Sequence, residues 1–177
     1  VQITEDRSIR LLPRLLSGRL DLAFVRPPYQ RNAVIQFDHL VYETAVVAMS
    51  TQHPLAGHAM IRIADLSGAL LIVPDRRTRP HSYDLTMRLF SGSGFTPQIG
   101  QMANEKQTII NLVAGGLGIA IVPRWTSQLG ATGVAFKPIV LVEGVVLKSL
   151  PLSVAYVRNV RDQARDDHPH RGAQAGR

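Results

Sequence analysis

The chain has no cysteine, which removes disulfides, thiolate nucleophiles and cysteine-ligated zinc together and is compatible with any compartment. Aromatic residues are scarce, 6% of the sequence with a single tryptophan, so no series of stacking platforms for single-stranded nucleic acid is present. No apolar run approaches the roughly 20 residues that cross a bilayer, which excludes a membrane-spanning helix. Acidic residues are outnumbered, thirteen Asp and Glu against twenty Lys and Arg, for a formal net charge of +7. The basic residues are scattered or sit in one short cluster instead of striping a helix. Weak attraction to acidic partners is therefore expected, but a DNA-reading groove is not.

What is there is a chain of 177 residues, 45% hydrophobic and 19% charged, an ordinary globular balance and long enough to bury a core without staples. It starts Val1-Gln2-Ile3-Thr4-Glu5, with neither an initiator methionine nor the basic-then-apolar layout of a secretory signal, and is expected to be a piece of something longer.

Short extended runs alternate with helical ones. Ser8 to Ser17 places Ile9, Leu12 and Leu16 at helical spacing and stops at Gly18, with Pro13 expected to kink the helix or delay its start. Leu20 to Val25 reads as a nearly continuous apolar strand ended by Arg26-Pro27-Pro28, since proline cannot donate to a ladder. Two more extended runs, Val34 to Tyr42 and Thr44 to Ser50, precede a turn at His53-Pro54-Leu55-Ala56-Gly57 and a short helix over Ile61 to Leu66. Leu70 to Val73 is a buried strand cut by Pro74. Ser82 is expected to cap a helix carrying Leu85, Leu89 and Phe90, with Asp84 in its first turn. Gln98 to Met102 makes a strand, and Asn104 with Gln107 resembles a capping box opening a helix through Ile109, Leu112 and Val113. Gly115-Gly116 ends that helix, Gly118 to Val122 is a strand closed by Pro123, and Val134 to Phe136 and Leu152 to Val157 complete the strands. The alternation predicts an α/β fold whose sheet is mainly parallel and covered on both faces. From Asn159 almost nothing apolar remains, so the tail is expected to be largely disordered.

Several motifs have bland explanations. Gly115-Gly116-Leu117-Gly118 follows a helix and precedes a strand, the reverse of the strand-to-helix order that puts phosphate on a helix N-terminus, so these glycines read as a helix end and tight turn. None of the six histidines forms an i, i+4 pair with a carboxylate, and His168 and His170 lie in the polar tail; no metal site is assigned. Ser91-Gly92-Ser93-Gly94 reads as a flexible exit from a helix and not as a nucleophile elbow. With no nucleophile and base pair there is no catalytic assignment, and no cofactor is called for.

What stands out is convergence at one end of the inferred sheet. Arg26-Pro27 follows one strand, and Pro74-Asp75-Arg76-Arg77-Thr78-Arg79-Pro80-His81-Ser82 links another to a helix. Ligands of parallel α/β sheets sit beyond the carboxyl ends of the strands. The helix starts near Ser82 and Asn104 offer unpaired N–H groups, which with nearby guanidiniums suit a carboxylate. The candidate ligand-binding residues are Arg26 and Pro27, then Arg79, Pro80, His81, Ser82 and Tyr83, and, at the second helix start, Asn104, Gln107 and Thr108.

The pattern resembles the effector-binding domain of LysR-type transcriptional regulators from about Val1 to about Val157. Ser17-Gly18-Arg19-Leu20-Asp21-Leu22-Ala23 is similar to the family's small-residue turn and strand, His53-Pro54-Leu55-Ala56 to its turn, and Asp65-Leu66 to its helix end. The stretch from Glu105 to Thr108 through Val113-Ala114-Gly115-Gly116-Leu117-Gly118-Ile119-Ala120-Ile121-Val122-Pro123 is the most specific. Arg26-Pro27-Pro28 and Arg79-Pro80-His81-Ser82-Tyr83-Asp84 look like the branch that senses aromatic-catabolism intermediates.

The resemblance implies a periplasmic-binding-protein-like (type II), two-lobed fold with a mainly parallel sheet in each lobe. Lobe I would span residues 1–65 and 141–177 and lobe II residues 66–140, without the family's usual first strand and helix. It further implies a cytoplasmic, non-enzymatic domain that binds a small anionic metabolite between the lobes to modulate transcription. Self-association as a homodimer or homotetramer is implied, with DNA contacted only through a helix-turn-helix domain absent from this chain and with no membrane partner. The alternative is an extracytoplasmic solute-binding protein for a small organic anion.

Overall fold

The computed structural model describes residues 1–28, 30, 32–91, 93–140 and 148–158, with backbone alone at 148 and 149. Three α-helices and eight strands follow in the order α1 (Ser8–Leu16), β1 (Ala23–Val25), β2 (Ile35–Ser50), β3 (Ile61–Arg62), β4 (Leu70–Val73), α2 (Pro80–Arg88), β5 (Gln98–Met102), α3 (Lys106–Ala114), β6 (Ala120–Pro123), β7 (Val134–Val140) and β8 (Lys148–Val157). Short 3-10 turns cover Pro54–Gly57, Ile63–Leu66 and Arg124–Leu129. No helix among the described residues is long and apolar enough to cross a membrane. The tail expected to be disordered lies outside the described residues.

The main departure from expectation is the sheet. It is mixed and mostly antiparallel: β1 pairs β8, and β2 pairs β8, β6 and β7, all antiparallel. Among the described residues, parallel pairing is confined to β3 with β7, β4 with β5, and a single bridge from Leu71 to Ile119. The expectation of a mainly parallel sheet is corrected accordingly. Helical crossovers, which parallel neighbours require, alternate with strands only from β4 to β6. Apart from β3 with β7, the other paired strands meet in opposite directions.

Two runs expected as separate strands are one, the sixteen-residue β2. Its first part pairs β8 from Ile35 to Thr44, and from Ala45 to Ser50 it lies between β6 and β7. Its burial changes with its neighbours. Ile35 and Phe37 alternate with less buried residues, Asp38 to Tyr42 are exposed, and Ala45 to Met49 are all buried, the continuous apolar run expected of a strand covered on both faces.

Three apolar clusters result. Leu11 and Leu15 of α1 pack on Ala23, Val25, Ile35, Phe37 and Ala155, and burying each leucine contributes about 2 kcal/mol. The stripe expected at Ile9, Leu12 and Leu16 is rotated, since Ile9 and Leu16 are exposed. Along β2, Ala45, Val47 and Met49 face a core with Ile61, Leu71, Val73 and Phe90, whereas Val46 and Ala48 face α3 through Ile109, Ile110 and Val113. These are the two faces of one pleated layer.

The helix ends decide what the site can do. Proline at the first helical position has its φ preset and no N–H to satisfy, so α2 starts at Pro80 with Arg79 as the flanking residue. Ser82 lies inside the helix, its carbonyl accepting from Thr86 Oγ1 at 3.1 Å, and the cap expected there is corrected. Nor does Asn104 cap α3: its Oδ1 accepts from Asp75 N at 3.2 Å and Thr78 Oγ1 at 3.1 Å, tying together the loops that follow β4 and β5. Glu105 flanks α3 and makes no side-chain cap. The glycines after α3 behave as read: Gly116 has φ 72°, and a Cβ on Gly118 would lie 2.6 Å from the Leu70 carbonyl oxygen.

Candidate functional site

Beyond the carboxyl ends of β4 and β6, where a ligand is expected in an open α/β layer, lies a cleft of about 510 Å³. Its walls carry Pro74, Thr78, Pro123 and Trp125 from those strand ends, Arg26 from the end of β1, Leu150 from β8, and the segment Glu5 to Ile9. All three α-helices begin at this wall, contributing Ser8, Pro80 to Ser82, and Lys106 with Gln107. None of them has a side-chain cap. The first N–H groups of a helix have no intrahelical acceptor and the macrodipole favours negative charge there, so three uncapped starts make the cleft receptive to an anion.

The charged side chains divide sharply. Arg26 is engaged in holding strands together: Nη1 donates to the carbonyls of Leu150 (2.9 Å) and Pro151 (3.0 Å), and Nη2 pairs with Glu43. It joins the end of β1 to β8 and to β2 near the point where β2 changes partners, and its charge is already paired with a carboxylate. Arg79 Nη2 donates to Glu105 Oε1 at 3.1 Å, an oxygen also 3.8 Å from Arg7 Nη2, while Arg79 Nε is buried without a partner. Two guanidiniums therefore share one carboxylate. His81 is held below its ordinary pKa mainly by burial, an effect opposed by the Arg26 carbonyl and by Asp84, so near neutrality its imidazole is a neutral hydrogen-bonding group. Lys106 is partly buried and makes no hydrogen bond or ion pair among the described residues. Burial first, then Arg79 and Arg26, push its ammonium down to about 8, with Glu105 pulling the other way.

Of the residues singled out in the sequence, Arg26, Arg79, Pro80, His81, Ser82 and Gln107 line this cleft. Pro27 lines a smaller hollow of about 300 Å³ on the other side of His81. Tyr83 packs against the core under Arg76, whose guanidinium sits 5.6 Å from the ring centre. Asn104 acts behind the wall through its loop bonds, and Thr108 is exposed on α3 away from the cleft. Sequence reasoning missed Lys106, Trp125 and the segment Glu5 to Ile9. A lone lysine between Glu and Gln at a helix start looks like a solvated charge. Trp125, two residues past a strand-ending proline, carried a signal in its position.

Fold and cleft together define an α/β domain with a cleft whose wall gathers three helix starts and several charged side chains. Comparison with known proteins makes this specific: residues 1–164 match the LysR substrate binding domain, and the chain belongs to that family. Its members are cytoplasmic transcription regulators, not enzymes. A curated relative, the HTH-type transcriptional regulator TtuA of Agrobacterium vitis, is 52% identical over 165 residues, which is 93% of this chain and 54% of that protein. The chain spans about half the length of the curated relatives it matches. Among solved structures, the BenM effector binding domain with its effector benzoate aligns with TM-score 0.75 at 26% identity, covering 89% of this chain and 69% of that one. The QuiR effector binding domain in complex with shikimate gives 0.74 at 23%, covering 87% and 70%. Full-length CbnR complexed with target DNA gives 0.76 at 22%, covering 89% and 54%. The last two establish likeness of fold.

Proposed function

We propose that this domain senses a small organic acid in the cleft and passes its occupancy to a DNA-binding helix-turn-helix domain outside this chain. The observation that carries the reading is the meeting of three uncapped helix starts with Arg79 and Lys106 around one cavity. Benzoate and shikimate, carried by two structural neighbours, are both carboxylates, and an aromatic-derived acid suits a wall with Trp125, Leu85 and Ile121. The family match sets the solute-binding alternative aside.

We further propose that the chain forms two lobes with the passage between them at Thr44 and Ala45, where β2 leaves β8 for β6 and β7, instead of near residue 65. Ile61, Ile63 and Leu66 share a core with Leu71 and Val73, so residues 45–66 go with the second lobe. A ligand bridging the lobes shifts their relative arrangement only through its differential affinity for the two arrangements. About tenfold, near 1.4 kcal/mol, gives useful coupling. Self-association as a symmetric dimer or tetramer belongs to the same proposal.

Trp125, the only tryptophan, lies in the cleft wall and serves as reporter. Titration with benzoate, shikimate and cis,cis-muconate, followed by its fluorescence and by calorimetry, should give saturable binding of at least one acid and none of its amide. Binding of neutral amides with no preference for acids would overturn the reading.

A further inference from the structure

The cleft wall carries four cationic side chains, Arg7, Arg26, Arg79 and Lys106, and three acidic ones, Glu5, Asp6 and Glu105. The ion pairs are not evenly shared. Arg26 has Glu43, and Arg79 and Arg7 share Glu105. Asp6 accepts from Arg7 N at 2.8 Å and lies 4.0 Å from Arg10. Lys106 alone among these cations has no hydrogen bond or ion pair among the described residues.

Folding does not ask for this arrangement. An ammonium partly withdrawn from water without an ion-pair partner opposes stability, and an apolar side chain would fill the first position of α3 at less cost. Groups held against their own solvation concentrate where a ligand completes them. The charges that act on Lys106 are Arg79 of the α2 start and Arg26 at the end of β1, which repel it, and Glu105, which attracts it; His81 and, before α1, Glu5, Asp6 and Arg7 line the same cavity. In this cavity Lys106 is the cation, and Glu5 the carboxylate, that no ion pair engages among the described residues.

We propose that Lys106 determines the ligand class of this cleft: its ammonium is the counter-ion of the effector's carboxylate, so binding is linked to a proton and weakens in alkaline solution. The assignment rests on the reading of the cleft as an acid site and adds the residue and the proton to it. An ammonium with its midpoint pushed down to about 8 is charged at pH 7 and mostly neutral at pH 9. A bound carboxylate favours the charged form, so the ligand and the proton reinforce each other. From pH 7 to 9 the fraction ready for an anion falls about tenfold, and affinity falls with it. His81, the other group near neutrality, is held below its ordinary value, so its charge change falls on the acid side of this window.

The test uses protein labelled with 13C at lysine Cε. There are three lysines, Lys106, Lys137 and Lys148, and Lys106→Met identifies the resonance. Benzoate, shikimate and cis,cis-muconate are titrated at pH 7 and pH 9 while Trp125 fluorescence is recorded, with folding of each variant checked by circular dichroism. We expect an acid that binds to raise the midpoint of the Lys106 resonance and to bind the parent about tenfold more weakly at pH 9. Lys106→Met should lose at least tenfold at pH 7 together with the pH dependence. Lys106→Arg should bind with an affinity that stays level between the two pH values, because a guanidinium keeps its proton there. Equal binding by parent and Lys106→Met, or a Lys106 resonance unmoved by a bound acid, overturns the Lys106 assignment and leaves the acid site standing. Failure of every acid to move either signal overturns the acid site and the assignment together.

Discussion

Arg79 and Arg77 stand two positions apart in one loop and should behave differently toward the ligand. Arg77 is 92% exposed in its side chain, with Nε 3.7 Å from Asp75, and reaches the cleft only through a screened field worth less than about 1 kcal/mol. Arg79 is 26% exposed, flanks the start of α2, and holds Glu105 at 3.1 Å with its Nε buried and unpartnered. A charge-assisted bond to a ligand carboxylate from such a position is worth about 1.5–3 kcal/mol. Arg79→Ala also strips Glu105 of its nearer partner, which leaves a carboxylate facing an incoming anion. The two losses should therefore separate by at least about tenfold in Kd, read by titrating the same acid into both variants at one ionic strength. Glu105→Gln supplies the sign control: it frees the Arg79 guanidinium and removes the competing charge, so affinity should rise. Equal losses for Arg77→Ala and Arg79→Ala would show the loop acting as a diffuse positive field. A larger loss for Arg77→Ala would put the ligand on the other side of the loop.

Other outcomes follow from the same geometry. Gly118 has φ 150° with the Leu70 carbonyl 2.6 Å from any added Cβ, whereas Gly116 at φ 72° has nothing within 4 Å. Gly118→Ala should cost about 3 kcal/mol or more by urea denaturation, through strain and the weakened Ile119-to-Leu70 bond, against about 1 kcal/mol for Gly116→Ala; the reverse order would refute the close-approach argument. Glu43→Gln leaves the Arg26 guanidinium with neutral partners only, and its partly buried charge should destabilise the fold by about 1–3 kcal/mol, as measured by thermal or urea unfolding; no change would mean that the pair is solvated. Lys106 has its folded-state value lowered from 10.5 to about 8. Between those pH values the unfolded chain binds a proton that the folded chain does not, so this group adds stability as pH rises. Lys106→Met should then be more stable than the parent at pH 7, by up to about 3 kcal/mol, with the advantage shrinking toward pH 10. A constant difference across that range would count against the burial of the ammonium.

Local pattern alone determined much of this protein. The strand at Leu70 to Val73, the strand at Gln98 to Met102, the helix ended by Gly115-Gly116 and the strand closed by Pro123 all stand where their residues placed them. Each rests on a signal within a few residues: an apolar run, a glycine free to take positive φ, a proline without an N–H. The same signals placed Arg26, Arg79 and His81 near strand and helix ends, and all three line the cleft. Tertiary structure decided what those residues are available for. Arg26 is paired with Glu43, seventeen residues away, and hydrogen-bonded to carbonyls of β8 more than a hundred residues away. Asn104, a helix cap by its spacing, is drawn off by a loop twenty-six to twenty-nine residues earlier. The direction of the strands and the joining of two runs into β2 depended on which distant segments came alongside, and Lys106 became an unpaired cation only because other elements closed around it. Hydrogen bonds and desolvation act over a few ångströms in space, whatever the distance along the chain, so spacing could name the candidates but only packing could show which charge was left without a partner.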